Sequence, residues 1–279
     1  MNGFISIIRR FPTATGLNLL GLVVALTACY VFKTQVEFAN NYNKNIDGYE
    51  NVFRMEADAL ANGRISAHIN RPLAEGIKQM PQVESIFCGQ FNFCNNIFKI
   101  GENVFHLRLS KCTSDGLKAL HPKMIAGVDT FGTQSEIIIP ASFAVKMFGT
   151  IDCLGKDVQV REDATTTVIG IFEDFPDNCM ATNSVYFSMC DENINSPGNW
   201  NYNCLVRTTS NMSADELKST FKKFLISQST GEDDDEETVK QLEEYVDKMN
   251  LNFRPLTETY FSGVDGRDKG NRGMMLVLD

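Results

Sequence analysis

The residues best able to do chemistry in this chain are eight cysteines, at 29, 88, 94, 112, 153, 179, 190 and 204, and three histidines, His68, His106 and His121. No two cysteines stand in the C-x-x-C spacing of a zinc ribbon or redox pair, and nothing in the spacing brings a histidine to a thiol or to paired carboxylates. Cys29 lies inside an apolar run, which leaves seven cysteines outside it, so at least one of those is unpaired in any monomer. Cys88 with Cys94, or Cys179 with Cys190, could form disulfides in an oxidising compartment, but packing as small hydrophobes is the favoured reading. Glu173 and Asp174 are adjacent acids that read as solvated rather than as a general acid–base pair. The six consecutive acids at 232–237 read as a solvated loop whose later members favour a helix N-terminus, since they lack the spaced oxygens and glycine of a calcium loop.

The familiar reaction signatures are missing as well. The chain has no G-x-x-x-x-G-K-[ST] phosphate loop, no G-x-S-x-G elbow, no H-E-x-x-H helix and no dinucleotide fingerprint after a strand. The expectation is therefore no catalytic residue, no cofactor-binding residue, no metal site and no enzymatic activity. A formal charge of −9 and a pI near 5.0 also argue against nucleic acid, whose phosphates call for basic stripes.

With no reaction centre to position, the most informative element is residues 11–32, twenty-two residues without a charge directly behind Arg9 and Arg10. At about 1.5 Å rise per residue such a run crosses a hydrocarbon core of about 30 Å as a helix. The reading is a cytoplasmic interfacial segment over 1–12, a transmembrane helix over 13–33 and a stalk over 34–47. Arg9 and Arg10 place the leading end in the cytoplasm, with Lys33 and Lys44 opposing weakly, so the main domain lies outside the cytoplasmic membrane. Two alternatives compete with a retained helix. The same stretch resembles a secretory signal, and Leu26-Thr27-Ala28-Cys29 matches the site at which bacterial lipoproteins are cleaved and acylated. Against cleavage, Tyr30-Val31-Phe32 prolongs the apolar run beyond Cys29.

Downstream, periodicity predicts a first strand over 49–59 and a short helix over 72–80. Strand-like runs follow over 83–93 and 97–109, the second broken at Gly101. Ile137-Ile138-Ile139 reads as a buried strand, Pro140 as the opening of a helix that Gly149 stops, and 158–160, 165–172 and 185–189 as further strands. Ser213 and Glu216 form a capping box ahead of a helix with Leu217, Phe221, Phe224 and Leu225 on one face. A second helix carries Val239, Leu242, Val246 and Met249, and 251–256 reads as a closing strand. The outer and middle sections differ in texture, which suggests an α+β domain with another lobe inserted.

Several segments in the same order resemble MacB-like ABC transporter permeases of the FtsX-like superfamily. They are Leu17-Asn18-Leu19-Leu20-Gly21-Leu22 behind Ile8-Arg9-Arg10, the YENVFRM stretch beginning at Tyr49, the SFAVKMFG stretch beginning at Ser142 with Leu154-Gly155-Lys156, and the VIGIFEDFP stretch beginning at Val168. The resemblance implies a single N-terminal transmembrane helix and a two-lobed periplasmic domain. A discontinuous porter-like lobe would span 48–112 and 203–262, with a smaller α/β lobe at 113–202. It also implies conformational work driven by a cytoplasmic ABC ATPase on a partner chain, a second permease copy, and a periplasmic or outer-membrane partner. The stretch 263–279 then reads as a return stalk and the start of a second span cut short. A lipoprotein or single-span sensor binding an envelope ligand is the alternative of a different class.

Overall fold

A computed structural model describes residues 10–58, 62–161, 164–230 and 236–264. The proposed interfacial segment before residue 10, most of the acidic run and the return stalk beyond 264 lie outside the described residues. Helix α1 (Pro12–Asn40) opens on a proline, whose missing N–H would be unbonded there anyway, and it continues past Cys29 without a break. It is the one described helix long and apolar enough to cross a membrane, and its apolar window packs against nothing else in the molecule.

The rest is a mixed α/β domain built on an eleven-stranded sheet. A 3-10 turn (Tyr49–Asn51) leads into β1 (Val52–Glu56), followed by β2 (His68–Ile69), α2 (Arg71–Lys78), β3 (Val83–Ile100) and β4 (Asn103–Cys112). Then come β5 (Met124–Gly127), β6 (Glu136–Pro140), α3 (Ala141–Phe148), β7 (Asp157–Arg161), β8 (Ala164–Phe172) and β9 (Val185–Ser188). The chain closes with β10 (Tyr202–Thr208), α4 (Ala214–Ser229), α5 (Glu236–Lys248), β11 (Asn252–Pro255) and a 3-10 turn (Leu256–Phe261).

The strand order is β11-β1-β10-β3-β4-β9-β6-β8-β5, with β2 on β10 and β7 bridging β3 and β8. One end, β11-β1-β10, is covered by α2, α4 and α5, whose Ile77, Leu217, Phe221 and Val246 form a core with Phe53, Met55 and Phe253. The other end packs Ile137, Ile139, Val158 and Val168 with Ala144 and Met147 of α3. A third cluster between them joins Phe87, Phe91 and Leu205 to Ile138, Phe172 and Tyr186. Ile138 faces this cluster while its neighbours Ile137 and Ile139 face the other, the two-residue alternation of a strand buried on both sides.

Some expectations hold and others are corrected in detail. The first strand begins after a 3-10 turn, because Gly48 in the left-handed region (φ 64°) redirects the chain first. The two strand-like runs part at the Gly101 turn rather than near 94, and a register shift between Gln90 and Cys94 absorbs the irregularity inside β3. Pro140 sits at the cap position of α3, and Gly149 ends that helix at φ 74°, a conformation an L side chain resists. All eight cysteines are free thiols, so neither disulfide forms. Five of them are buried, and burial pushes the Cys88 and Cys179 thiols up to about 12. Of the acidic run, Glu236 and Glu237 occupy the first turn of α5, where the helix dipole favours negative charge.

Candidate functional site

The place where the long helix meets the domain is held more firmly than a linker needs to be. Ala39 is the first buried residue of α1, and the chain then turns through 41–48 across the domain surface. Asn43 is fully buried at φ 64°, a backbone region in which Asn is among the few tolerated side chains. Its amide nitrogen donates to the Leu256 carbonyl at 2.9 Å and to Thr259 Oγ1 at 3.0 Å, and its Oδ1 accepts from the Met180 N–H at 2.7 Å. The Asn43 N–H itself donates to the Asn178 carbonyl at 2.8 Å. One residue therefore ties the end of the helix to the 178–180 loop and to the chain segment leaving β11.

Aromatic and charged groups reinforce this junction. Phe38 and Tyr42 pack on Tyr260, with ring centroids 6.0 and 4.6 Å apart. Arg207 reaches from central strand β10 with only 2% exposure and donates to the carbonyls of Ala119 at 3.1 Å, Gly48 at 3.1 Å and Asp47 at 2.8 Å. Burial pulls its guanidinium below its ordinary value, against the opposing influence of Glu84 and Asp47. A Cβ on Gly48 would stand 2.8 Å from Arg207 Nη1, so the contact also depends on that glycine. Alongside, Glu56 of β1 receives Arg54 Nη2 at 2.6 Å and Arg254 at 2.7 and 2.9 Å, and Arg54 continues to Ser262 Oγ at 2.7 Å. Burial alone would raise the Glu56 carboxyl, but the two guanidiniums outweigh it and hold it below the usual carboxylate value.

Of the chemistry-bearing residues named from sequence, the sheet brings Cys88 directly opposite Cys204 and beside Cys112, all three buried free thiols, and leaves the histidines and the Glu173–Asp174 pair apart from them. Among the described residues, no group of three His, Cys, Asp or Glu side chains could hold a metal ion. His121 stands between Asp47 at 3.8 Å and Glu84 at 3.4 Å, on opposite sides of its ring, while His68 pairs with Ser66 and His106 lies on the exposed side of β4. Asp174 accepts from the Ser142 N–H at 2.8 Å, capping the start of α3 that Pro140 leaves open, and Glu173 faces Lys123 at the surface. Asn43, Arg207 and Glu56 were not singled out from sequence. The visible signal for the last was a charged residue on both sides of Met55 in an otherwise apolar strand.

The sequence profile of the MacB-like periplasmic core domain matches residues 15–224. The chain belongs to that family. No curated protein matches it by sequence. Among solved structures, a domain described as coming from a permease protein of Porphyromonas gingivalis is similar at TM-score 0.57 and 18% identity, over 83% of this chain and 98% of that one. At that identity the likeness speaks for the fold of the mixed α/β domain alone, which in this chain follows the N-terminal apolar helix. The periplasmic region of MacB from Actinobacillus actinomycetemcomitans aligns at TM-score 0.49 and 12% identity, over 79% of this chain and 94% of that one. The extracellular domain of the noncanonic ABC-type transporter YknZ from Gram-positive bacteria aligns at 0.44 and 21%, over 64% and 94%.

Proposed function

We propose that this MacB-like chain is a permease subunit, or part of one, of an ABC transporter. Helix α1 crosses the inner membrane with its N-terminus in the cytoplasm, and the α/β domain stands in the periplasm. ATP hydrolysis on a cytoplasmic partner chain is converted into movement of that domain, in a complex with a second permease copy and a periplasmic or outer-membrane partner. The domain itself contributes contacts that differ between two states rather than a reaction. Its division into a porter-like lobe at 48–112 and 203–262 and an inserted lobe at 113–202 supplies the two bodies that move, joined where β4 of the first pairs with β9 of the second.

The observation that carries this reading is the Asn43 junction. A shift or rotation of α1 displaces Asn43 against Leu256, Thr259 and Met180, so it either breaks those bonds together or moves the domain with it. A flexible tether would dissipate the same motion. The test uses the full chain purified with its ATPase partner in lipid nanodiscs. Hydrogen exchange over 41–48 and 256–262 is expected to change between the nucleotide-free and vanadate-trapped complexes, and identical exchange in the two would overturn the coupling. Orientation is read separately: the exposed Cys94 should react with an impermeant maleimide in spheroplasts without lysis. Protection of Cys94 until lysis would reverse the topology.

A further inference from the structure

Because β7 pairs with both β8 and β3, the strands β3, β4, β9, β6, β8 and β7 close into a ring. The closure is slight, a single register pair between Lys99 and Gln159. The interior is solid at one level, where Phe98, Leu107, Ile137, Val158, Val168 and Val185 are buried together. At the next level the ring is open. Register places Asn96 opposite Leu107, and Lys111 and Phe187 two residues beyond the buried Leu109 and Val185. Asn96, Leu109, Lys111 and Phe187 line a cavity of about 730 Å³ whose wall also includes Gln134, Ser135, Val160 and the acids Asp191 and Glu192. A barrel mouth of this size falls within the roughly 300–1,000 Å³ range of small-molecule sites.

We infer that this barrel mouth binds a neutral, hydroxyl-rich saccharide of one or two rings. The lining matches that chemistry from two sides. Phe187 is half-buried, with its ring 6.3 Å from that of Phe98, and with Leu109 and Val160 it offers an apolar plate to the C–H face of a sugar ring. The Gln134 and Ser135 side chains supply donors and acceptors that make no hydrogen bond to the protein among the described residues, and Asn96, whose Oδ1 accepts from the Ile97 N–H at 2.9 Å, lines the same space. Among the described lining residues the charged groups are Lys111, Asp191 and Glu192, and they do not call for an anion, since Lys111 is already 3.5 Å from Glu192 and lies 4.8 Å from the centre of the Phe93 ring. The site goes beyond the coupling proposed above and does not depend on it.

The test presents the full chain, in lipid nanodiscs, with maltose, cellobiose and N,N′-diacetylchitobiose, none of which partitions into lipid. Saturable binding of at least one disaccharide is expected by calorimetry, with the ring C–H protons receiving the strongest saturation transfer in NMR. Phe187→Leu should abolish that C–H transfer. Gln134→Ala with Ser135→Ala, at exposed positions whose side chains have no hydrogen-bond partner among the described residues, should weaken binding about tenfold by removing two neutral hydrogen bonds. This double variant decides the matter if Phe187→Leu misfolds. Absence of saturable binding by all three sugars, or affinity unchanged in the double variant, overturns the assignment. So does tighter binding of an acetylated Ala-Phe-Ala peptide than of any of the sugars.

Discussion

The helix junction and the barrel mouth both gather polar side chains, but they treat them in opposite ways. At the junction the polar groups are buried and bonded within the protein: Asn43 makes three side-chain hydrogen bonds, Arg207 reaches three carbonyls, and Glu56 lies between two guanidiniums. At the mouth, the Gln134 and Ser135 side chains face solvent with no such partners among the described residues. Satisfied buried groups resist rearrangement, because breaking any one of them strands another in a low dielectric. Exposed uncommitted groups exchange water for solute at little cost. The first arrangement suits a part that transmits displacement, and the second suits a part that meets molecules from outside.

The contrast should be sharpest at Glu56. Glu56→Gln leaves Arg54 and Arg254 without their carboxylate and is expected to destabilise the domain by about 3–5 kcal/mol, measured by urea unfolding at pH 7. The same experiment against pH has a definite sign. The folded carboxyl is held below its ordinary value of 4.5, so the unfolded chain binds the proton more readily. The stabilisation is fully present above that ordinary value and is lost as pH falls through the lower folded value. Wild type should therefore lose stability below about pH 4.5, and Glu56→Gln should lose less over the same interval. Parallel pH curves for the two proteins would remove Glu56 from the account of the junction.

Arg207→Met keeps most of the volume but leaves the carbonyls of Ala119, Asp47 and Gly48 without their shared donor, for an expected loss of about 3 kcal/mol. Asn43→Ala combines lost hydrogen bonds with a positive φ that alanine resists, for about 2–4 kcal/mol. Asn43→Asp should be less stable than alanine in thermal unfolding at pH 7, since it buries an unpaired carboxylate with an oxygen facing the Leu256 carbonyl where the amide donated. If Asn43→Asp proved as stable as wild type, the bonds to Leu256 and Thr259 would not be what holds the helix to the domain.

Local features were legible in the sequence and long-range ones were not. The capping box at Ser213 and Glu216, the stop at Gly149 and the strand Ile137–Ile139 each follow from a few neighbouring residues, and each is present as read. Strand β10 went unread although it lies in the middle of the sheet. Its sequence YNCLVRT mixes Asn and Arg with apolar residues, and its burial comes from β1, β3 and β2, more than ninety residues away in sequence for every pair. Asn43 offered no local sign, because its partners at 178–180 and 256–259 are brought to it only by the finished fold. The barrel mouth was further out of reach, since it requires the register of six strands at once.

The smallest expected effect tests the other half of the comparison. Gln134 precedes β6 and Ser135 adjoins it, both exposed and without hydrogen-bond partners among the described residues, so truncating both side chains strands no buried group and opens no cavity. The Ser135 carbonyl, which accepts from the Thr167 N–H at 2.8 Å, belongs to the backbone and survives the change. Gln134→Ala with Ser135→Ala should therefore leave unfolding free energy within about 0.5 kcal/mol of wild type. A loss comparable to that of Asn43→Ala would mean that these side chains brace the strand ring, and the mouth would then be a structural rim like the junction rather than a surface left open for a ligand.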